Sequence, residues 1–120
     1  MASISPTQRS LALLRQRGYL VHIAERWNPF AHIRQDAFGV LDLIAVKPGE
    51  ILGVQTTSDA NLAARRTKLL AADATLTLIL AGFQIVLHGW SKKGPRGMVK
   101  RWTCREEPLT ADDFDSEIPL

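Results

Sequence analysis

Phe38-Gly-Val-Leu-Asp-Leu-Ile-Ala-Val46 sets one acidic residue in an otherwise apolar, strand-like run, and Gly53-Val-Gln-Thr-Thr-Ser58 closes a second apolar run on four polar residues. Lys47-Pro48-Gly49-Glu50 between them is a strong turn signal, so the two runs read as neighbouring strands of a hairpin. Strands of small α/β domains are largely buried, and an unpaired carboxylate there is costly. Asp42 is therefore the residue that most needs explaining. By alternation it shares a face with Val40 and Ile44, and on the second strand Gln55 and Thr57 share one face, with space left by Gly53. Hairpin pairing then brings Asp42 beside Gln55 and Thr57. A carboxylate, an amide oxygen and the backbone carbonyl of Thr56 would suit Mg²⁺, a hard cation that favours oxygen ligands.

Outward from this hairpin, the chain reads as α-β-β-β-α-β-β. Ser5-Pro6 looks like a helix start, with Ser5 as N-cap, and Gly18 stops that helix. Tyr19 to Arg26 alternates loosely as a first strand, and Asn28-Pro29 breaks it. Phe38 to Val46 and Ile51 to Thr57 are the hairpin strands. Ser58 or Asp59 caps a helix beginning near Ala60, which bends near Asp73 to Thr75 and ends at Gly82. Gln84 to Trp90 and Val99 to Cys104 are the last strands, joined by a basic turn, and Thr110 caps a short final turn. Two connected antiparallel strands followed by a helical crossover describe a mixed β-sheet flanked by helices, an α/β fold.

With 120 residues there is room for one domain. All fifteen Lys and Arg lie at or before Arg105, against six of the twelve acids, so residues 1–105 form a basic body and 106–120 an acidic tail. That division suggests a surface facing a polyanion. The acidic tail reads either as a mobile charge balance or as a segment that folds over the basic surface. The single cysteine, Cys104, forms no internal disulfide and points to a reducing, cytoplasmic setting. Met1 to Ser10 lacks the pattern of a signal peptide, and no apolar run reaches the roughly 20 residues of a membrane helix.

At Asp42 and Gln55 the pattern resembles the PD-(D/E)XK nuclease superfamily, in particular small phage and archaeal Holliday-junction-resolvase-like members. The matching features are an N-terminal helix, an FGxxDLxA strand, and a hairpin to a strand that carries (E/Q)xK before a helix. The resemblance covers roughly Ser5 to Leu70 and implies a restriction-endonuclease-like fold and metal-dependent hydrolysis of DNA, with Mg²⁺ or Mn²⁺ as cofactor and a homodimer as assembly. It implies Asp42 and Gln55 as metal ligands, and it puts the catalytic lysine at the position of Thr57, which carries no charge. The family tolerates migration of that lysine to the next helix, where Asn61, Arg65 and Lys68 share a polar face. Asp36, just before the Asp42 strand, and Glu25, at the end of the first strand, are candidate additional ligands. Gln8 stands where relatives place a helical glutamate.

Plainer readings stand beside these. Asp42 would be a structural carboxylate if paired with Arg34 or Arg66, and Arg65, Arg66 and Lys68 would be a solvated helix face. Lys92, Lys93, Arg96, Lys100 and Arg101 are either a phosphate-contacting patch or a soluble turn. Trp27, Trp90 and Trp102 read as core or sheet-edge residues, His88 as a satisfied strand histidine, and Cys104 as inert. The alternative to a nuclease is a non-catalytic DNA-binding protein on the same fold, with Thr57 marking the lost chemistry.

Overall fold

The computed structural model describes residues 4–114. Five strands form a mixed sheet in the order β1-β4-β5-β6-β7: β1 (Leu20–Ile23), β4 (Leu43–Lys47), β5 (Glu50–Ser58), β6 (Gln84–Lys93) and β7 (Arg101–Leu109). Between β1 and β4, a separate two-stranded arm is made by β2 (Arg26–Asn28) and β3 (Ile33–Gln35). The β4–β5 hairpin pairs antiparallel, Leu43 opposite Val54, and turns where Lys47-Pro48-Gly49-Glu50 requires. β5 and β6 run parallel, so the chain between them must cross one face of the sheet. It does so as a 3₁₀ turn (Asp59–Asn61) followed by α2 (Leu62–Ala71) and α3 (Asp73–Leu80).

The two faces of the sheet have different covers. α1 (Pro6–Gln16) starts as its sequence dictates: Gln8 N–H donates to Ser5 Oγ at 3.2 Å and Pro6 takes the first helical position. Its Leu14 is buried with Leu43, Ala45, Leu52 and Val54, which alternate onto that face. On the opposite face Leu62, Leu69 and Leu78 of α2 and α3 pack with Leu41, Ile85 and Leu87. Each fully buried leucine contributes on the order of 2 kcal/mol by leaving water, so these two layers hold the sheet between the helices. Gly53 serves that packing. A Cβ there would stand 2.7 Å from Leu41 Cδ2 and 2.9 Å from Ile85 Cδ1, so the space it leaves is filled by core side chains rather than by a ligand.

Three expectations change. The strand expected over 19–26 ends at Ile23, and Asn28-Pro29 marks the end of β2 and the start of the loop that leads to β3. The strand expected from Phe38 begins only at Leu43, because Phe38 (φ 56°) and Gly39 (φ 75°) are both left-handed and make a tight turn closed by an Ala37–Leu41 bridge. The acidic segment from Glu106 is not wholly a tail: β7 runs through Glu106 and Glu107 to Leu109, and Asp112 and Asp113 lie in a 3₁₀ turn. Cross-chain cations neutralise it, with Arg17 binding Glu106 at 2.6 and 2.9 Å and Arg66 binding Asp113 at 2.9 Å. Residues 115–120 lie outside those described. Ser58 sits at the N-cap position of the 3₁₀ turn but makes no side-chain cap bond, whereas Thr110 and Asp113 form a complete capping box.

Candidate functional site

Asp42 lies at the point where β1, the Phe38-Gly39 turn and β5 meet. Its N–H donates to Val54 O at 2.9 Å, which continues the β4–β5 ladder by one residue. Its carbonyl accepts the N–H groups of Ala24 (2.8 Å) and Glu25 (3.2 Å), which ties down the chain just beyond β1. The bridge between Ala37 and Leu41 sets Asp36 across the tight turn from Asp42. The result is that Glu25, Asp36 and Asp42 offer carboxylate oxygens all within 4.8 Å of one another.

Asp42 is 4% exposed, and its carboxylate accepts the Thr56 N–H (2.8 Å) and the Thr56 hydroxyl (3.1 Å) on the same oxygen, Oδ2. Because Thr56 donates its only hydroxyl proton to Asp42, the Thr7 hydroxyl at 2.8 Å must donate to Thr56. A buried chain, Thr7 to Thr56 to Asp42, therefore links α1 to the site. Burial first, and the neighbouring Asp36 and Glu25 after it, raise the Asp42 carboxyl to about 7 against the downward pull of the Thr56 N–H. Among the described residues no cation lies within salt-bridge distance of Asp42 or Asp36; only Glu25 has one, Arg34 at 3.0 Å. Neither Arg34 nor Arg66 pairs with Asp42, and Arg66 is turned to Glu107 and Asp113.

A cleft of about 490 Å³ opens over this cluster, lined by Glu25, Asp36 and Asp42, by Thr7, Thr56 and Thr57, and by Arg34, Asn61, Arg65 and Lys68. Gln55 is 3% exposed and lines a small adjoining crevice of about 30 Å³ with Asp36, Arg65 and Lys68. β5 therefore presents its residues to opposite faces: Thr56 toward α1, Gln55 beside α2. The face-sharing expected of Asp42 with Gln55 and Thr57 gives way to direct contact with Thr56, because Asp42 precedes β4 and its carboxylate reaches the Thr56 N–H. Asn61, Arg65 and Lys68 gather at the cleft as their helical spacing suggests. Lys92, Lys93, Arg96, Lys100 and Arg101 do not: they are exposed on the β6–β7 hairpin and its loop and line none of these clefts.

Thr7 and Thr56 escaped sequence reasoning as a unit, since nothing along the chain signals a 49-residue hydroxyl pair. His88 is satisfied as expected. It is 1% exposed, with Nδ1 2.9 Å from Ser10 Oγ and Nε2 3.3 Å from Glu106 Oε1. The Glu106 carboxylate can only accept, which places the imidazole N–H on Nε2, so Ser10 donates to His88 Nδ1 while its oxygen accepts the Trp90 indole N–H at 2.8 Å. The order Ser-His-Glu is that of a hydrolytic triad, but Ser10 is fully buried and Arg17 neutralises Glu106, so it fastens α1 to the sheet. Burial pushes the Cys104 thiol up to about 12, which makes it a poor nucleophile.

The donor set fits a divalent cation. Ligand atoms on an ion bonded at about 2.1 Å stand about 3 Å apart when adjacent and about 4.2 Å when opposite, so carboxylates within 4.8 Å of one another would draw inward to share it. Buried like charges at this spacing repel unless a proton or a cation joins them. No family model, curated protein or solved structure matches the chain.

Proposed function

We propose that this chain is a metal-dependent DNA endonuclease on a restriction-endonuclease-like fold, directed by DNA structure rather than by sequence. The observation that carries the reading is the convergence of Glu25, Asp36 and Asp42 in a cleft whose other wall bears Arg34, Arg65 and Lys68. The sheet order supports it, because a β4–β5 hairpin followed by a helical crossover to a parallel β6 is the arrangement the sequence resemblance implies.

Asp42, Asp36 and Glu25 would hold Mg²⁺ or Mn²⁺, with Gln55 adjacent to the group. Such an ion supplies an activated water and charge neutralisation at a phosphate when bound. The rest of the chemistry belongs to the chain. Thr56, backed by Thr7, fixes the Asp42 carboxylate through two hydrogen bonds to one oxygen, Oδ2. Arg65 and Lys68 stand on the cleft wall with the charge that Thr57 lacks, and would orient the phosphate and offset the negative charge that develops on it. The cleft reads backbone rather than bases, since its cations suit phosphate. A homodimer would present two such clefts to two strands.

A second reading, DNA binding without cleavage, is favoured by Thr57 alone. Incubation of branched, single-stranded and duplex DNA with Mn²⁺ separates the two. Cleavage by the wild type that disappears in Asp42→Asn supports the nuclease. Salt-sensitive binding with no cleavage supports the second reading.

A further inference from the structure

The β2–β3 arm pairs only with itself, yet both its ends lead into the carboxylate cluster: Glu25 immediately precedes β2 and Asp36 immediately follows β3. Its large apolar side chains face solvent, with Trp27 55%, Phe30 94% and Ile33 50% exposed. Trp27 meets the His32 ring edge-on, 6.3 Å between centroids, and still leaves more than half of its surface to water, which a ribbon this short does not need for its fold. The ten residues Arg26 to Gln35 include two arginines and a histidine and no acid, so the arm is cationic as well as aromatic.

Its surface is continuous with the site. A cleft of about 230 Å³ is lined by Arg26, Trp27, Phe30 and Gln35. The neighbouring cleft of about 730 Å³ shares Arg26 and Gln35 with it and adds His22, Arg34, Asp36 and Lys68. Arg34, Asp36 and Lys68 in turn line the carboxylate cleft. Exposed aromatic faces thus stand at one end of a cationic path that ends at the carboxylates.

We propose that the β2–β3 arm is a stacking platform for unpaired nucleotides, so that the substrate is DNA with a single-stranded segment beside the phosphate to be cut. The inference rests on the DNA reading of the carboxylate cleft. Aromatic faces with interleaved arginines hold bases by stacking while the cations follow the backbone. Paired bases keep their faces inside the duplex, so only unpaired ones are available to Trp27 and Phe30. An acid-free arm also disfavours a cationic partner.

The test is fluorescence anisotropy of the full chain with metal chelated, against an oligothymidylate, an abasic phosphodiester of equal length, and a duplex. Trp27→Ala should weaken oligothymidylate binding about 5- to 100-fold, the range of one lost stacked base. Abasic and duplex binding should stay within about twofold, and the salt dependence should be unchanged because no phosphate contact is lost. Phe30→Ala should act in the same direction. Trp27→Leu, which keeps apolar bulk but removes the aromatic face, should lose as much as Trp27→Ala and guards against a folding defect. The proposal is overturned if the wild type does not prefer oligothymidylate to the abasic strand, if Trp27→Leu binds like wild type, or if the variants weaken all three probes equally. It is also overturned if the wild type sediments as a dimer and Trp27→Ala as a monomer, since the arm would then be a self-contact. Because binding is read without metal, failure to cleave would sink the nuclease reading and leave this result standing.

Discussion

Replacing Asp42 with Asn should stabilise the protein at alkaline pH while removing one ligand of the proposed metal site. In the folded protein the Asp42 carboxyl is raised from 3.8 to about 7, first by burial and then by Asp36 and Glu25. A carboxyl raised on folding binds its proton more tightly in the native state, so its contribution is fully present below pH 4 and lost as pH rises through about 7. At about 1.4 kcal/mol per pKa unit, the loss approaches 4 kcal/mol well above pH 7. Asn cannot ionise, and its amide oxygen still accepts the Thr56 N–H, so Asp42→Asn should exceed wild type by about 2–4 kcal/mol at pH 8.5. For a domain of this size that is a Tm gain on the order of 10 °C. The gain should vanish near pH 4. Thermal melts of both proteins from pH 4 to 8.5, without divalent metal, measure it; titrations of groups remote from Asp42 cancel in the difference, and relief of Asp36 and Glu25 acts in the same direction as the gain. A variant no more stable than wild type at pH 8.5 would refute the reasoning, because Asp42 would then be an ordinary satisfied structural carboxylate.

Three further outcomes follow from the same geometry. Lys68→Ala should lower Mn²⁺-dependent cleavage about 10²- to 10³-fold, as loss of one electrostatic stabiliser does, with Lys68→Arg retaining part of it; unchanged cleavage by Lys68→Ala would remove Lys68 from the mechanism. Phe38→Asn should raise stability by about 1 kcal/mol in denaturant melts, because Phe38 is exposed and left-handed in a tight turn that Asn-Gly suits better. The buried His88 imidazole is held below its ordinary 6.5, chiefly by desolvation, so its contribution is full above that pH and lost as pH falls through the lower native value. His88→Gln should therefore flatten the loss of Tm between pH 7 and 5, and an acid loss equal to that of wild type would contradict the assignment.

The hairpin and the oddity of Asp42 were legible because each is a local signal: a Pro-Gly turn between apolar runs, and one carboxylate inside an apolar run. The α1 start and the break in the α2–α3 region were local as well. The convergence of Glu25 and Asp36 on Asp42 was suspected only singly. It depends on a left-handed Phe38, where a β-forming aromatic argues for strand, and on a short arm that returns the chain to its starting point. The position of β7 was hidden by composition. Glu106 and Glu107 read as tail until Arg17 and Arg66, 89 and 41 positions away in sequence, neutralise them. Of the two readings of Trp27, core or sheet edge, the second holds, because a two-stranded arm consists only of edge strands.

The central claim, that Glu25, Asp36 and Asp42 hold one divalent cation, is tested most directly by calorimetric titration of Mn²⁺ at pH 7 in two buffers of different ionisation enthalpy. With the Asp42 carboxyl near 7 it is about half protonated there, so binding of one ion should release about half a proton. Asp42→Asn should abolish the binding. No binding by wild type, or equal binding and no change in proton release with Asp42→Asn, would contradict the account.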